Sequence, residues 1–363
     1  PFSAAKRSRP ERRGPERHRD GFVPVPVSSP CLPVSEAEEA WELPPRRAEK
    51  SMEERRMNVL DETGHTPLVR LERLSAKLGA HIWLKDETRN PTGSVKDRVA
   101  CHCVRMAKER GDITGKKAVV EACSGTLGVS LAMTCAVLGY HLYVVMSTDI
   151  PRAQLAQIER YGAVMYPVAP EAGMTEAVRR ARLEHEDNWH SWYFNQFENP
   201  DCVALHKTTT GPEIAADMER KGVRVAAFID AVASGATISG VGACLKERDP
   251  SVFIRAVEPA ESPVLSGGSS GRHGIPGVGF GFVPANFHRE VVDDIYKVET
   301  KSAIREARRL MRMEGPACGI STGANLAAAI ELARRPEFRG KHIIVLGRDA
   351  ALPFLTTPLF SRD

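Results

Sequence analysis

Residues Asn90 to Arg98 read NPTGSVKDR and follow an apolar run, Ile82-Trp83-Leu84, where a strand would hand over to a helix. A lysine just inside a helix start lies beside the positive end of the helix dipole and is partly desolvated, and both effects lower its pKa. Lys96 is then an amine nucleophile able to condense with an aldehyde. The nonamer alone fits a surface lysine in a polar turn equally well, so neighbouring segments must decide.

Two segments carry hydroxyls among small residues: Glu121-Ala122-Cys123-Ser124-Gly125-Thr126-Leu127-Gly128 and Ala233-Ser234-Gly235-Ala236-Thr237. Small side chains let the backbone approach a ligand, and a helix starting at Thr237 would aim its positive end at an anion, so the second segment is a candidate phosphate cradle. Taken alone it also reads as an ordinary helix N-cap. The chain has no G-x-x-x-x-G-K-[ST] run and no G-x-G-x-x-G opening a first helix, so nucleoside triphosphates and dinucleotides are not indicated.

The scaffold for these segments begins at Met57, where apolar runs of strand length alternate with helical patterns, the mark of a parallel sheet covered by helices. Strands are expected over 82–85, 118–121, 141–146, 164–168, 226–229, 253–257 and 342–346. Helices are expected, among others, over 94–109, 127–138, 152–161, 237–247, 302–313 and 322–334. In open α/β sheets ligands gather at the carboxyl ends of strands, so one site containing Lys96 and both loops is expected.

At 363 residues the chain can hold two domains or one large α/β unit. No run of about 18 uninterrupted apolar residues suggests a membrane span. The net charge of +4 is dispersed and leaves no nucleic-acid footprint. None of the eight cysteines forms a C-x-x-C pair; buried reduced thiols in a cytosolic protein are expected. Cys101-His102-Cys103 does not suggest a metal, because neighbours two apart on a helix do not share a face. The first 51 residues are dense in charge and proline with almost no apolar periodicity, and disorder or a spurious extension is expected there. The chain begins at Pro1, which suggests a fragment or a reading extended upstream of a start at Met52 or Met57; acidic residues and the lack of an apolar core argue against a transit or signal peptide.

Taken together, the pieces resemble the cysteine synthase and cystathionine β-synthase family of fold-type II pyridoxal-phosphate enzymes, related to the tryptophan synthase β chain. The resemblance runs from TGHTPLVR at 63–70 to Phe354, through NPTGSVKDR, QFENP at 196–200, His206 with TTGPEI at 209–214, VEPAESPVLSGG at 257–268, GVGFGFVP at 277–284 and GISTGA at 319–324. It implies two three-layer α/β/α domains with a cofactor cleft between them: a large one from 57–90 plus 200–363, and a smaller mobile one from 91–199. It implies that Lys96 holds pyridoxal 5'-phosphate and later moves protons, that Ser234, Gly235, Ala236 and Thr237 bind its phosphate, and that Thr126 lies beside its phenolic oxygen. Ser124, Gly125 and Gln196 would grip the substrate carboxylate, with Gly277 and Gly279 flanking the amino-acid pocket. The implied reaction is β-replacement on O-acetylserine or O-phosphoserine with sulfide, giving cysteine, in a cytoplasmic homodimer with no metal, nucleic acid or membrane partner. A relative using another nucleophile, one stopping at elimination, and a catalytically weak binding protein are the alternatives.

The chain departs from the family pattern at three places. Thr126 stands for an asparagine, and Leu127 for a hydroxyl residue of the carboxylate loop. An ungapped match of the C-terminal block puts Ala350 at the serine that usually faces the pyridine nitrogen, while a shift of one residue would offer Asp349. A lost charge-assisted hydrogen bond costs about 1.5–3 kcal/mol, enough to change substrate preference roughly tenfold.

Overall fold

A computed structural model describes residues 58–114, 118–187 and 190–361. The expectations for residues 1–51 lie outside the described residues. Two sheets organise the rest. Strands β1 (Leu68–Arg70), β2 (His81–Asp86), β7 (Val225–Ala231), β8 (Phe253–Pro259), β9 (Asp294–Val298) and β10 (His342–Gly347) form a six-stranded sheet in the order β1-β2-β10-β7-β8-β9. Strands β3 (Ala118–Ala122), β4 (His141–Ser147), β5 (Val164–Val168) and β6 (Ser191–Tyr193) form a four-stranded sheet in the order β5-β4-β3-β6. Only β1 runs antiparallel to its neighbour.

Continuous apolar runs such as His342-Ile-Ile-Val-Leu-Gly become central parallel strands because helices cover both of their faces. Ile343 and Val345 of β10 face one core with Ile82, Leu84 and Ile229, where helices α9 (Thr300–Glu314) and α10 (Ile320–Ala333) pack. Ile344 and Leu346 face the other with Trp83 and Phe228, under α7 (Thr210–Arg220) and α8 (Ala236–Arg248). The smaller sheet is layered in the same way. Val119, Val144 and Met146 meet α2 (Lys96–Arg110) and α3 (Thr126–Leu138), while Val120 and Val145 meet α5 (Gly173–Asp187). The remaining helices are α1 (Glu72–Leu78), α4 (Arg152–Arg160) and α6 (Pro200–Thr208).

All seven expected strands are present, extended by up to two residues at an end. The three strands that composition does not announce, β1, β6 and β9, are edge strands of three to five residues with partly exposed faces, so they lack the continuous apolar run that marks a buried strand. The helix expected from Ser94 begins at Lys96, because the Ser94 hydroxyl is used to receive the Lys96 N–H. The seven described cysteines are buried and free. Among the described residues no cluster of three or more His, Cys, Asp or Glu could hold a metal, and no helix is long and apolar enough to cross a membrane.

Candidate active site

Apart from Lys96 itself, every polar residue of the NPTGSVKDR segment has a side-chain partner, and together they fix where Lys96 stands. Asn90 receives the Gly64 N–H at 2.9 Å and donates to Glu87 at 2.8 Å. The Thr92 N–H donates to Asp97 at 2.7 Å, and Ser130 of α3 donates to the same carboxylate at 2.6 Å. Ser94 donates to Asp349 at 2.6 Å and receives the Lys96 N–H at 3.0 Å. Arg98 grips both oxygens of Glu87 and both of Glu213 at 2.6–3.0 Å, and Lys85 adds a 2.7 Å ion pair to Glu213. Burial alone would raise the Glu213 pKa, but Arg98 and Lys85 outweigh it and hold the group at about 2.

Lys96 is 7 % exposed, so its ammonium has lost most of its hydration. Burial, and after it the charge of Arg348, lower its pKa to about 8 against the opposing pull of Asp349 and Asp230. About a tenth of the amine is therefore neutral, hence nucleophilic, at pH 7 and half of it at pH 8, far more than for a lysine with the ordinary value of 10.5. Uptake of an aldehyde by the free enzyme is expected to accelerate up to about pH 8 and then level off, since the neutral amine is the attacking form. A stopped-flow rate still rising tenfold per pH unit at pH 9.5 would mark an ordinary lysine instead.

Lys96 lines a narrow crevice together with the turn from Ala233 to Thr237. No side chain caps the start of α8, so its first N–H groups are available to an anion. The Thr237 hydroxyl lies 3.2 Å from Nε2 of His206, which burial keeps neutral, and Nδ1 of that ring lies 2.9 Å from Thr210. Gly235 has φ +86°, and a Cβ there would lie 2.6 Å from the Phe287 nitrogen. Gly235→Ala therefore has to displace either the turn or the Phe287 backbone, and a left-handed non-glycine residue alone costs about 1–3 kcal/mol. Its dissociation constant for pyridoxal phosphate, by equilibrium dialysis, should rise roughly tenfold or more; a value within twofold of the parent would refute the tight fit.

The 123–128 loop leads from β3 into α3. Gly125 sits at φ +113°, and its Cα faces the buried Gln154 of α4 so closely that a Cβ would lie 2.2 Å from that side chain's oxygen. Ser124 and Thr126 are half-buried, whereas Leu127 points into the core of the smaller sheet. Gln196 stands beside this loop, with Nε2 donating to Ala122 O at 2.7 Å and to Glu121 Oε1 at 3.0 Å. Both of its amide hydrogens are thus engaged. Glu121 is fully buried, and this desolvation pushes its carboxyl up to about 8, so it is neutral at pH 7. Phe197 packs edge-on against Phe280 and Phe282 at 5.6 and 4.9 Å, which brings the turn containing Gly277 (φ +76°) and Gly279 (φ +61°) to the same neighbourhood. Asn286 ties it further by donating to Gln196 O at 3.0 Å, and Gly279 N–H donates to Val232 O at 3.0 Å.

At the end of β10, Asp349 accepts from Ser94 at 2.6 Å and from Ser321 at 3.4 Å, so its carboxylate is committed to holding the start of α2. Ala350 bridges to Cys318, and its N–H donates to Gly93 O at 2.8 Å. Two residues not singled out in the sequence complete the crevice: Asp230 from β7 and Arg348, both buried and joined by a 2.7 Å ion pair. A wider cavity of 710 Å³ does not include Lys96 in its wall; its cations Lys85 and Arg98 are paired to Glu213, and Arg105 to Asp61.

A family model described as "Pyridoxal-phosphate dependent enzyme" matches residues 59–347, which span both sheets, Lys96 and both loops. The chain belongs to the pyridoxal-phosphate-dependent enzymes. It is 36 % identical over 308 residues to the cysteine synthase of Staphylococcus aureus, covering 84 % of this chain and 97 % of that one. The crystal structure of cysteine synthase from Entamoeba histolytica superposes with a TM-score of 0.80 at 33 % identity, covering 88 % of this chain and 95 % of that one. The structure of O-ureido-L-serine synthase gives 0.79 at 33 % identity, covering 83 % and 94 %. The chain is thus a member of the cysteine synthase family, with pyridoxal 5'-phosphate as its cofactor. The residues of the crevice suit the chemistry of that group: the low-pKa amine of Lys96, the uncapped start of α8 and Arg348, whose buried Nε has no acceptor among the described residues, all line it.

Proposed function

We propose that this enzyme carries out β-replacement on an activated serine, taking O-acetylserine or O-phosphoserine and sulfide to L-cysteine. The observation that carries the reading is the buried, low-pKa amine of Lys96 sharing a crevice with an uncapped helix start, in a chain more than a third identical to a cysteine synthase. When bound, the cofactor supplies the electron sink that labilises the α-proton and the β-substituent. Lys96 would hold the cofactor's aldehyde and, once free, take that proton as general base. Ser234, Gly235, Ala236 and Thr237 would hold the phosphate, and Thr126 would donate to the phenolic oxygen. Ser124 and Gly125 would meet the substrate carboxylate on a loop that Gln196 braces through Ala122 and Glu121, with Gly277 and Gly279 beside the amino-acid pocket. Ala350 leaves the pyridine nitrogen without a hydroxyl partner. We take residues 57–90 plus 200–363 as the cofactor-anchoring domain and 91–199 as the domain that closes to exclude water and orient the substrate. A cytoplasmic homodimer is the matching assembly, as the resemblance implies.

One observation favours a second reading, a relative that uses a different nucleophile or stops at elimination. Leu127 lies in the core and the Gln196 hydrogens are engaged, so the carboxylate loop offers fewer side-chain donors than the family pattern. Mixing holoenzyme with O-acetylserine, O-phosphoserine, serine and cysteine in turn, with and without sulfide, separates the two. Cysteine formed in step with released acetate or phosphate supports the first reading. Pyruvate or hydrogen sulfide as the main product supports the second. A cofactor spectrum unmoved by all four amino acids refutes both and leaves a binding protein.

A further inference from the structure

Arg348 and Asp230 are a buried charge pair that no family motif announces. The two side chains come from neighbouring parallel strand ends, β10 and β7, and lie 118 residues apart in the chain. Arg348 Nη1 donates to Asp230 Oδ1 at 2.7 Å and to Ala231 O at 2.6 Å, while Asn325 braces the same carboxylate oxygen at 3.2 Å. Taking two charges out of water costs several kcal/mol per ion, and hydrophobic replacements are often more stable, so such a pair is weak evidence for stability and needs another reason. The reason lies in what remains unpaired. Arg348 Nε, buried, has no acceptor among the described residues, and it belongs to a side chain lining the crevice with Lys96 and the 234–237 turn.

We propose that Arg348, held in place by Asp230, is the hydrogen-bond donor to the pyridine nitrogen of the cofactor, in the part that a serine plays where this chain has Ala350. Arg348 lines the same crevice as Lys96 and the 234–237 turn, and two observations favour the ring nitrogen over the phosphate. The charge of Arg348 is already matched by Asp230, so the pair is neutral as a unit and suits a neutral acceptor better than a phosphate dianion. Ala350 has no hydrogen to donate, and Asp349 is engaged by Ser94 and Ser321. Burial opposes the guanidinium charge, but Asp230 and Asp349 outweigh it and raise its pKa, so Arg348 donates a hydrogen bond without transferring its proton. The ring nitrogen is thereby kept unprotonated. An unprotonated ring is a weaker electron sink, sufficient when a good leaving group departs from the β-carbon, and it suppresses side reactions that need a long-lived carbanion.

The test uses full-length holoenzyme reconstituted with pyridoxal phosphate labelled with nitrogen-15 in the ring, read by nitrogen-15 and phosphorus-31 NMR from pH 6 to 9. The parent enzyme should show one nitrogen resonance in the hydrogen-bonded, unprotonated range that does not titrate. Asp230→Asn with Arg348→Met removes both charges, so no lone buried ion is left. It should move the nitrogen resonance, and the dissociation constant for the cofactor should rise tenfold or more. Adding Ala350→Ser to that pair should bring the resonance back and recover most of the affinity, a rescue that a merely structural role would not give. Arg348→Lys keeps the charge but shortens the donor and should shift the same resonance; it decides the matter if the double variant does not fold. Borohydride trapping on Lys96 in every variant separates a displaced ring from a lost cofactor. A nitrogen resonance unchanged in these variants overturns the proposal, as does a change confined to phosphorus.

Discussion

Lys96→Ala is expected to abolish covalent attachment of the cofactor and to reduce turnover on the order of 10³-fold or more, since one amine both anchors the cofactor and moves the α-proton. Borohydride treatment followed by peptide mapping should label position 96 in the parent and no other lysine in the variant. The prediction is specific because of where the other buried lysine is. Lys85 is also fully buried, yet its Nζ is engaged by Glu213 at 2.7 Å and by Thr66 O at 2.6 Å. Lys96 has no such carboxylate contact, and burial with the nearby guanidinium lowers its pKa. A label found on Lys85, or turnover within tenfold of the parent, would end this assignment.

Arg98→Met should be the most destabilising conservative change two residues away. It strands Glu87, which is fully buried, and removes the bidentate partner of Glu213, while the Thr66 hydroxyl loses a 3.1 Å donor. Breaking a buried pair by removing one member costs about 3–5 kcal/mol, because the other charge is left unpaired in low dielectric. Urea unfolding at pH 7.5 should show this loss. It should shrink as the pH falls far enough to protonate Glu213: that carboxyl has its pKa depressed to about 2 from an ordinary 4.5, so its share of stability is complete above pH 4.5 and disappears as the pH drops toward 2. A loss below about 1 kcal/mol would mean that water reaches Glu87.

The two predictions differ in how far they were legible beforehand. Local chemistry made Lys96 and the 233–237 turn candidates, a lysine after a strand and a run of small residues before a helix, and the resemblance chose them over a surface lysine and an ordinary N-cap. The roles of Ser94 and Asp97 as anchors of that lysine were not legible, because their partners Asp349 and Ser130 come from other elements. The engagement of Gln196 by Glu121 likewise joins β3 to the end of β6, 75 residues apart. Phe197, Phe280 and Phe282 read as scattered aromatics until they meet. Three of the four edge strands, β1, β6 and β9, escaped notice for a related reason, since a short strand with one partner carries little of the apolar signal on which periodicity depends.

By itself, then, the amino-acid order determined the α/β architecture and the central strands and marked the lysine as a candidate, because buried parallel strands and close-packed turns require particular residue types over a few consecutive positions. Tertiary structure alone decided which polar groups surround that lysine. Whether Asp349 serves the ring or the start of α2, and whether Arg348 stands in solvent or beside Asp230, depends on strand ends brought together from across the chain. Spacing along one segment carries no information about such a meeting, and in a medium stripped of water the meeting sets the charge that each group carries.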